Sequence, residues 1–145
     1  MKRSLLRSGM ILFLLGLLTG FLLPQLRNPR AGLAAHLEGV MNGTFLLVVG
    51  LAWDELRLSE KTRTAAFALV LGGTYLNWAT TLLTSVLGTS KATPIAGAGF
   101  SAAAATETIV FGLFVVVALA MIPAVSLFIA GLRAESAAAA QPTGT

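Results

Sequence analysis

The sequence predicts an all-α, polytopic membrane protein that folds as a bundle of four transmembrane helices. Of its 145 residues, 56% are hydrophobic and only 11% are charged, and the mean hydropathy is +0.84. Soluble domains carry about 25% charged residues, so this composition predicts a chain surrounded by lipid. Because a spanning helix needs about 20 mostly apolar residues, the length accommodates four helices and leaves no room for a separate soluble catalytic domain.

Four apolar segments follow one another, and polar residues mark their ends. The segments cover about 5–23, 31–56, 64–87 and 106–132. The first follows Lys2, Arg3 and Arg7, like the start of a signal peptide, but no small-residue cleavage site comes after it, so we predict a retained helix. The fourth contains Pro123, which membrane helices tolerate.

The connection between the third and fourth segments is unusually long. Residues 88–105 are rich in small residues, and we predict that this loop folds back over the bundle because a simple helix–helix turn is shorter. We therefore expect one membrane domain over residues 1–133. The small, polar tail at 134–145 is predicted to be disordered and cytoplasmic.

The basic residues predict the orientation. Four spans place both ends of the chain on one side of the membrane, and that side holds seven of the ten Lys and Arg residues. The three on the other side are Arg27, Arg30 and Lys91. The positive-inside rule then predicts cytoplasmic termini in a bacterial-type inner membrane. Since the net charge of +4 lies at the ends of apolar segments, we expect a lipid bilayer and no nucleic acid as partner.

Residue counts exclude several kinds of site. The chain has no cysteine, which excludes disulfides, thiolate metal sites, cysteine nucleophiles and haem attachment through cysteines. Its single histidine, His36, excludes a multi-histidine zinc site. There is no glycine-rich dinucleotide fingerprint and no phosphate-binding loop.

Polar side chains within the apolar segments are the candidate functional residues, because such groups in lipid usually face a bundle interior or a cavity. They are His36, Glu38, Asn42, Asn77 and Glu107. At a rise of about 1.5 Å per residue, Asn42 and Asn77 each lie about 15 Å from the outer end of their helices. His36 lies about a turn and a half above them, so we predict one pocket in the outer half of the membrane.

Helical spacing adds detail to this pocket. Gly39 and Gly43 are four residues apart, and such a row of small residues lets another helix approach closely. Glu38 and Asn42 also share a face. His36 is about 120° from Asn42 around the helix, so both can border one cavity but cannot stack.

Each candidate also has a purely structural interpretation. Membrane asparagines often join helices, and a histidine near a helix end often sits at the level of the lipid headgroups. Glu38 and Glu107 lie close enough to the membrane surface to be solvated. The stripe of Gly73, Asn77, Thr81 and Thr84 on the third helix is typical of a face that packs against protein.

The segment from Asn28 to Gly43, NPRAGLAAHLEGVMNG, resembles the hydroxylaminobenzene mutases, which are small four-helix membrane enzymes. It is distantly similar to the styrene oxide isomerases, which share a His-x5-Asn-Gly pattern on helix two and an asparagine on helix three. In this chain the pattern begins at His36, and Asn77 in the run TYLNW has the matching spacing. Those isomerases carry a tyrosine one turn later, where this chain has Thr81, and this difference favours the mutase branch.

The resemblance implies a cofactor, an assembly and a reaction. Isomerases of this kind bind a non-covalent haem b between the subunits of a trimer, with the helix-two histidine as axial ligand. By resemblance, the residues holding the ferric haem would be His36, Gly39, Gly43 and Arg30. Asn42 and Asn77 would then lie on the substrate side. The implied reaction is a Bamberger-type rearrangement of hydroxylaminobenzene, a small aromatic substrate of nitroaromatic degradation, to 2-aminophenol, with iron as a Lewis acid.

Two other functions fit the same sequence. One is an epoxide-to-aldehyde isomerase with the same cofactor. The other is a small membrane transporter or structural subunit. Small multidrug transporters place a glutamate in helix one, whereas this chain has no charge in its first segment after Arg7, which disfavours a transporter.

Overall fold

The computed structural model describes residues 1–133, which form four long helices. These are α1 (Lys2–Phe21), α2 (Pro29–Leu51), α3 (Glu60–Leu87) and α4 (Ala104–Arg133). Short 3₁₀ turns at Leu23–Gln25 and Trp53–Glu55 precede α2 and α3. Each helix is long and apolar enough to cross a membrane, and the described residues contain no strand, so the predicted fold class is confirmed. The predicted disordered tail, 134–145, lies outside the described residues.

Helices that follow one another in the sequence pack against each other. α1 packs on α2, α2 on α3, and α3 on α4, while α1 and α3 meet at a few positions only. At the end of the bundle that holds the N-terminus, the buried Trp53 ring contacts Phe67 and Phe128 edge-on, at centroid distances of 6.0 and 6.4 Å. These contacts tie the turn between α2 and α3 to α4 and give this end an aromatic core.

Glycines bring α1 and α2 into backbone contact. Gly9 lies against Gly43 and Gly16 lies against Gly39, as expected for two antiparallel helices. A β-carbon on Gly16 would lie 2.5 Å from the backbone nitrogen of Val40, which no rearrangement of a flexible side chain can relieve. The glycine row on α2 is therefore covered by α1.

At the end of the bundle opposite the N-terminus, Asn28 is fully buried before the first turn of α2. Its Oδ1 accepts hydrogen bonds from the backbone N–H groups of Arg30 and Ala31 and so caps the helix. Its backbone pairs with Ser85 on α3, and its Nδ2 donates to the carbonyl of Ala96 at 2.9 Å. The backbone and side chain of one residue thus connect α2, α3 and the long loop.

The long loop folds back over this end, as predicted. Arg27 donates to the carbonyls of Leu87 and Ser101 and lies against Gly88, whose φ of +66° ends α3 in a left-handed conformation. The Glu107 carboxylate accepts hydrogen bonds from three backbone N–H groups of the loop, those of Ser90, Lys91 and Ala102. Both charged side chains therefore hold the loop.

At the opposite end, Lys2 and Asp54 form an ion pair with a nitrogen–oxygen distance of 2.6 Å. The hydrogen bond from the Lys2 ammonium lowers the pKa of Asp54 below its ordinary value. Both side chains are exposed to solvent, so the pair contributes little to the stability of the fold.

We expect Asn28→Ala to destabilise the protein by about 2 kcal/mol, because it removes a helix cap and leaves the Ala96 carbonyl without its donor. The matched control is Asn28→Asp, which keeps the capping oxygen and loses only the donor to the loop. Thermal unfolding in detergent should place the aspartate variant between the alanine variant and the parent. An alanine variant as stable as the parent would show that the Asn28 hydrogen bonds do not stabilise the fold.

Candidate functional site

A carboxylate joins two asparagines between α2 and α3. Glu38 Oε2 accepts hydrogen bonds from Asn42 Nδ2 at 3.0 Å and from Asn77 Nδ2 at 2.5 Å. All three side chains are half-buried. Asn42 and Asn77 therefore lie in one layer, as predicted from their depth, and Glu38 stands at the centre of the group. We call these three residues the Glu38 cluster.

Local geometry explains the cluster. Glu38 and Asn42 are four residues apart on α2, and residues at that spacing lie on one face of a helix. Asn77 comes from the antiparallel α3, where its neighbours serve the fold instead: Gly73 packs against Met121 of α4, and the buried Thr81 hydroxyl donates to the Asn77 carbonyl at 2.9 Å. Among the side chains of the polar stripe on α3, only Asn77 forms a hydrogen bond with a side chain of α2.

The cluster has a defined orientation because an ionised carboxylate can only accept hydrogen bonds. Each asparagine turns its amino group towards Glu38, so its carbonyl oxygen is directed away. Within residues 1–133, the Oδ1 atoms of Asn42 and Asn77 and the Oε1 atom of Glu38 have no hydrogen-bond donor. The cluster thus presents three acceptor oxygens in an apolar surrounding.

His36 is held by α1. Its Nδ1 lies 2.8 Å from the carbonyl oxygen of Gly16, and since a carbonyl only accepts, Nδ1 carries the proton and Nε2 keeps its lone pair. No other residue of the described chain bonds Nε2. A β-carbon on Gly20 would lie 2.9 Å from Nδ1, so the glycine makes room for the ring. A fixed tautomer with a free Nε2 is the usual arrangement of a metal-binding histidine.

The structure does not bring His36 to the Glu38 cluster. His36 projects from the flank of α2 that faces α1, whereas the cluster projects from the flank that faces α3. Between them the Trp78 ring packs on Gly39, and its Nε1 donates to Thr19 of α1 at 3.3 Å. Among the described residues, no hydrogen bond connects His36 with either asparagine, so one pocket shared by all three stays a prediction.

The remaining predicted cofactor contacts are occupied by the protein itself. Gly39 and Gly43 contact Gly16 and Phe13 of α1, so a helix fills the row that a flat ligand was expected to share. The Arg30 guanidinium, at the exposed start of α2, donates to the carbonyl of Ala98 in the long loop. Backbone packing and loop contacts explain these three residues.

The described part of the chain offers few other candidate binding sites. No group of three or more His, Asp or Glu side chains within residues 1–133 is arranged to hold a metal ion. Apolar grooves lie on the outer face of α1, around Met10 and Leu14, and between α2 and α4, around Val48 and Ile129. Neither groove includes His36 or the Glu38 cluster.

Glu38 is the residue whose central position the sequence did not predict. Its depth suggested solvation near the membrane surface, and only its spacing from Asn42 indicated an interior role. The Asn77 side chain, which arrives from another helix, completes the group. Glu107, also a candidate, belongs to the loop contacts described above and lies outside the site.

Comparison with known proteins identifies the family. The styrene oxide isomerase family model matches residues 1–133. The chain is 46% identical over 138 residues to hydroxylaminobenzene mutase HabB of Ectopseudomonas oleovorans, covering 94% of this chain and 84% of that protein. It is 45% identical over 97 residues to hydroxylaminobenzene mutase HabA of the same organism, covering 66% and 72%. No solved structure matches the chain. With four spanning helices and a family match along all its described residues, the chain belongs to the styrene oxide isomerase family of membrane isomerases.

Proposed function

We propose that this isomerase rearranges N-aryl hydroxylamines, with hydroxylaminobenzene as the parent substrate, to 2-aminophenols. The observation that carries the proposal is the Glu38 cluster, a set of unpaired hydrogen-bond acceptors in an apolar bundle. A hydroxylamine offers an N–H and an O–H to such acceptors. The two relatives named hydroxylaminobenzene mutase support the same substrate.

The reaction is an isomerisation with no net gain or loss of electrons. The N–O bond breaks, a C–O bond forms at the ortho carbon of the ring, and the proton displaced from that carbon is balanced by a proton gained at nitrogen. Asn42 and Asn77 would accept hydrogen bonds from the hydroxylamine group and hold it in one orientation. The apolar residues around them would keep bulk water away from the electron-poor ring while the N–O bond breaks.

His36 is the residue that would hold a haem b. Its Nδ1 proton is fixed by the Gly16 carbonyl, and its Nε2 is free within the described chain. With one histidine, each chain would contribute one ligand. When bound, ferric haem would supply Lewis-acid chemistry to the N–O bond. His36 would hold it, while the Glu38 cluster would orient the substrate.

The separation of His36 from the cluster favours an assembled site. His36 and the Glu38 cluster lie on opposite flanks of α2, with Trp78 between them. We propose that the protein forms a homo-oligomer, a trimer by resemblance, in which His36 of one copy meets the cluster of the next. The half-buried state of all four side chains leaves them accessible for such a contact.

We also propose the inner membrane of a bacterial cell as location, with cytoplasmic termini. The multi-pass character is established by the four helices, and the seven-to-three distribution of basic residues supports this orientation. The Glu38 cluster would then lie in the outer half of the membrane, which a small, neutral aromatic substrate reaches through lipid.

Replacing His36 tests the ligand. We expect His36→Ala to purify without a Soret band and to lose conversion of hydroxylaminobenzene, because nothing else in the described chain offers a free imidazole. Added imidazole should restore part of the absorbance in a His36→Gly variant, while circular dichroism verifies the fold. A full Soret band with full conversion in His36→Ala would exclude this assignment.

Replacing the asparagines tests the substrate side. Asn42→Ala and Asn77→Ala should each lower turnover by about tenfold or more while the haem band stays, since each removes one hydrogen bond of about 1.4 kcal/mol to the reacting group. The control is Thr44→Ala, because the exposed Thr44 hydroxyl bonds only the Val40 carbonyl of its own helix. Unchanged turnover in both asparagine variants would remove them from the site.

Co-expression tests the assembled site. Alone, His36→Ala chains are expected to be inactive and Asn77→Ala chains to keep about a tenth or less of the parent turnover, but a mixed oligomer would contain interfaces with an intact His36 and an intact Asn77. Random mixing in a ring predicts recovery of about a quarter of the parent activity. The control is the double variant carried on one chain and co-expressed with either single variant. Mixed oligomers that stay as inactive as either variant would place both residues of a working site in one chain.

A further inference from the structure

We infer that Glu38 is a positioning residue that makes the site selective for ligands that donate hydrogen bonds. The inference deepens the proposed function and rests on it, since it names the chemical feature by which a hydroxylamine is distinguished from an epoxide. Its basis is the way in which Glu38 Oε2 holds the amino groups of Asn42 and Asn77 together.

An isolated asparagine can present either its amino group or its carbonyl oxygen to a ligand, because the two ends of the amide have nearly the same shape. The Glu38 carboxylate removes this choice. Both Nδ2 atoms lie within hydrogen-bond distance of one carboxylate oxygen, and a carboxylate cannot bond the amide oxygens instead. Asn42 and Asn77 therefore keep their Oδ1 atoms directed away from Glu38.

The three oxygens that result have no donor within residues 1–133, yet their side chains are only half-buried. Two belong to the amides and one is the second oxygen of a negatively charged carboxylate. A polar group left unpaired in an apolar surrounding is unfavourable, and a charged one more so. A ligand that brings N–H or O–H groups relieves this, whereas a ligand with acceptors only does not.

This difference separates two substrates of similar size. N-phenylhydroxylamine carries one N–H and one O–H, and styrene oxide carries an ether oxygen and no donor. Sites that hydrogen-bond a substrate group reject analogues lacking it because their own buried groups are then left unpaired. Thr81, one turn after Asn77, adds no free donor for an epoxide oxygen, since its hydroxyl is committed to the Asn77 carbonyl.

Glu38 acts here through its neighbours. Glu38→Leu would remove the common acceptor and free both amides to turn, so the site could offer N–H groups to an acceptor ligand. Glu38→Gln keeps one oxygen of the same reach for the two amides, loses the charge and exchanges the second oxygen for an amino group that donates. The conservative variant should therefore retain the amide orientation that the leucine variant loses, and this difference separates positioning from a purely structural role.

The experiment is equilibrium dialysis of the purified holoprotein with phenol and with anisole, which differ by the presence of one O–H donor. Free concentrations are corrected for partition into detergent. We expect the parent to bind phenol about tenfold more tightly than anisole, as for the gain of one hydrogen bond, and Glu38→Gln, which keeps the two amide acceptors, to retain part of this preference. Glu38→Leu should bind the two within about twofold of each other, chiefly by gaining anisole.

The same ratio in the parent and in Glu38→Leu, or anisole binding as tight as phenol binding in the parent, would overturn the inference. If Glu38→Leu does not fold by circular dichroism and gel filtration, Asn42→Leu serves instead, since it removes one of the three acceptors and should lower the ratio of phenol to anisole affinity.

The binding measurement does not depend on turnover. A parent protein that prefers phenol but does not convert phenylhydroxylamine would therefore refute the proposed reaction and leave the donor selectivity standing.

Discussion

The backbone contact between α1 and α2 is the feature on which the other parts of the site depend. In lipid, helices gain little from the hydrophobic effect, so close packing of small residues provides much of their association. Gly16 and Gly39 allow the two backbones to touch. Only at this separation can the Gly16 carbonyl reach the His36 ring, which leans over Gly20 one turn further along α1. The histidine tautomer is thus a consequence of the helix packing.

The Glu38 carboxylate imposes a second constraint, because a charged group within a membrane-spanning segment needs partners. Asn42, from the same helix, donates one hydrogen bond to it. Asn77 supplies a second hydrogen bond and thereby ties α3 to α2 at this depth. The cluster is at once an interhelical contact and a polar group within the spanning part of the bundle. The two roles agree, since the bonds that join the helices are the same bonds that orient the amides.

Periodicity and depth predicted a large part of this arrangement. Apolar segment lengths predicted the four helices, and the rise per residue placed Asn42 and Asn77 in one layer, where the structure has them. The long loop was expected to fold back, and Arg27 and Glu107 hold it there. These features depend on distance along a helix axis, which the sequence specifies directly.

The sequence did not specify the direction of neighbouring elements around the helix axis. Helical spacing gave the angle between His36 and Asn42, but it did not reveal that α1 would occupy one flank of α2 and α3 the other. For the same reason the row of Gly39 and Gly43 was compatible with a flat ligand until α1 was seen to cover it. The central position of Glu38 was not predicted because its second hydrogen-bond partner, Asn77, lies 39 positions away in the sequence.

Helix α2 therefore carries two chemically different flanks, one with a ligand-ready imidazole and the other with an oriented set of acceptors. Packing within one chain keeps them apart, since Trp78 fills the space over Gly39 and bonds Thr19 across to α1. Joining them inside one bundle would require removing that ring and opening the glycine contact that fixes His36. A symmetric contact between copies brings unlike flanks together without disturbing either, because each copy offers both. The proposed assembly would thus preserve both the Gly16–His36 bond and the Glu38–asparagine bonds.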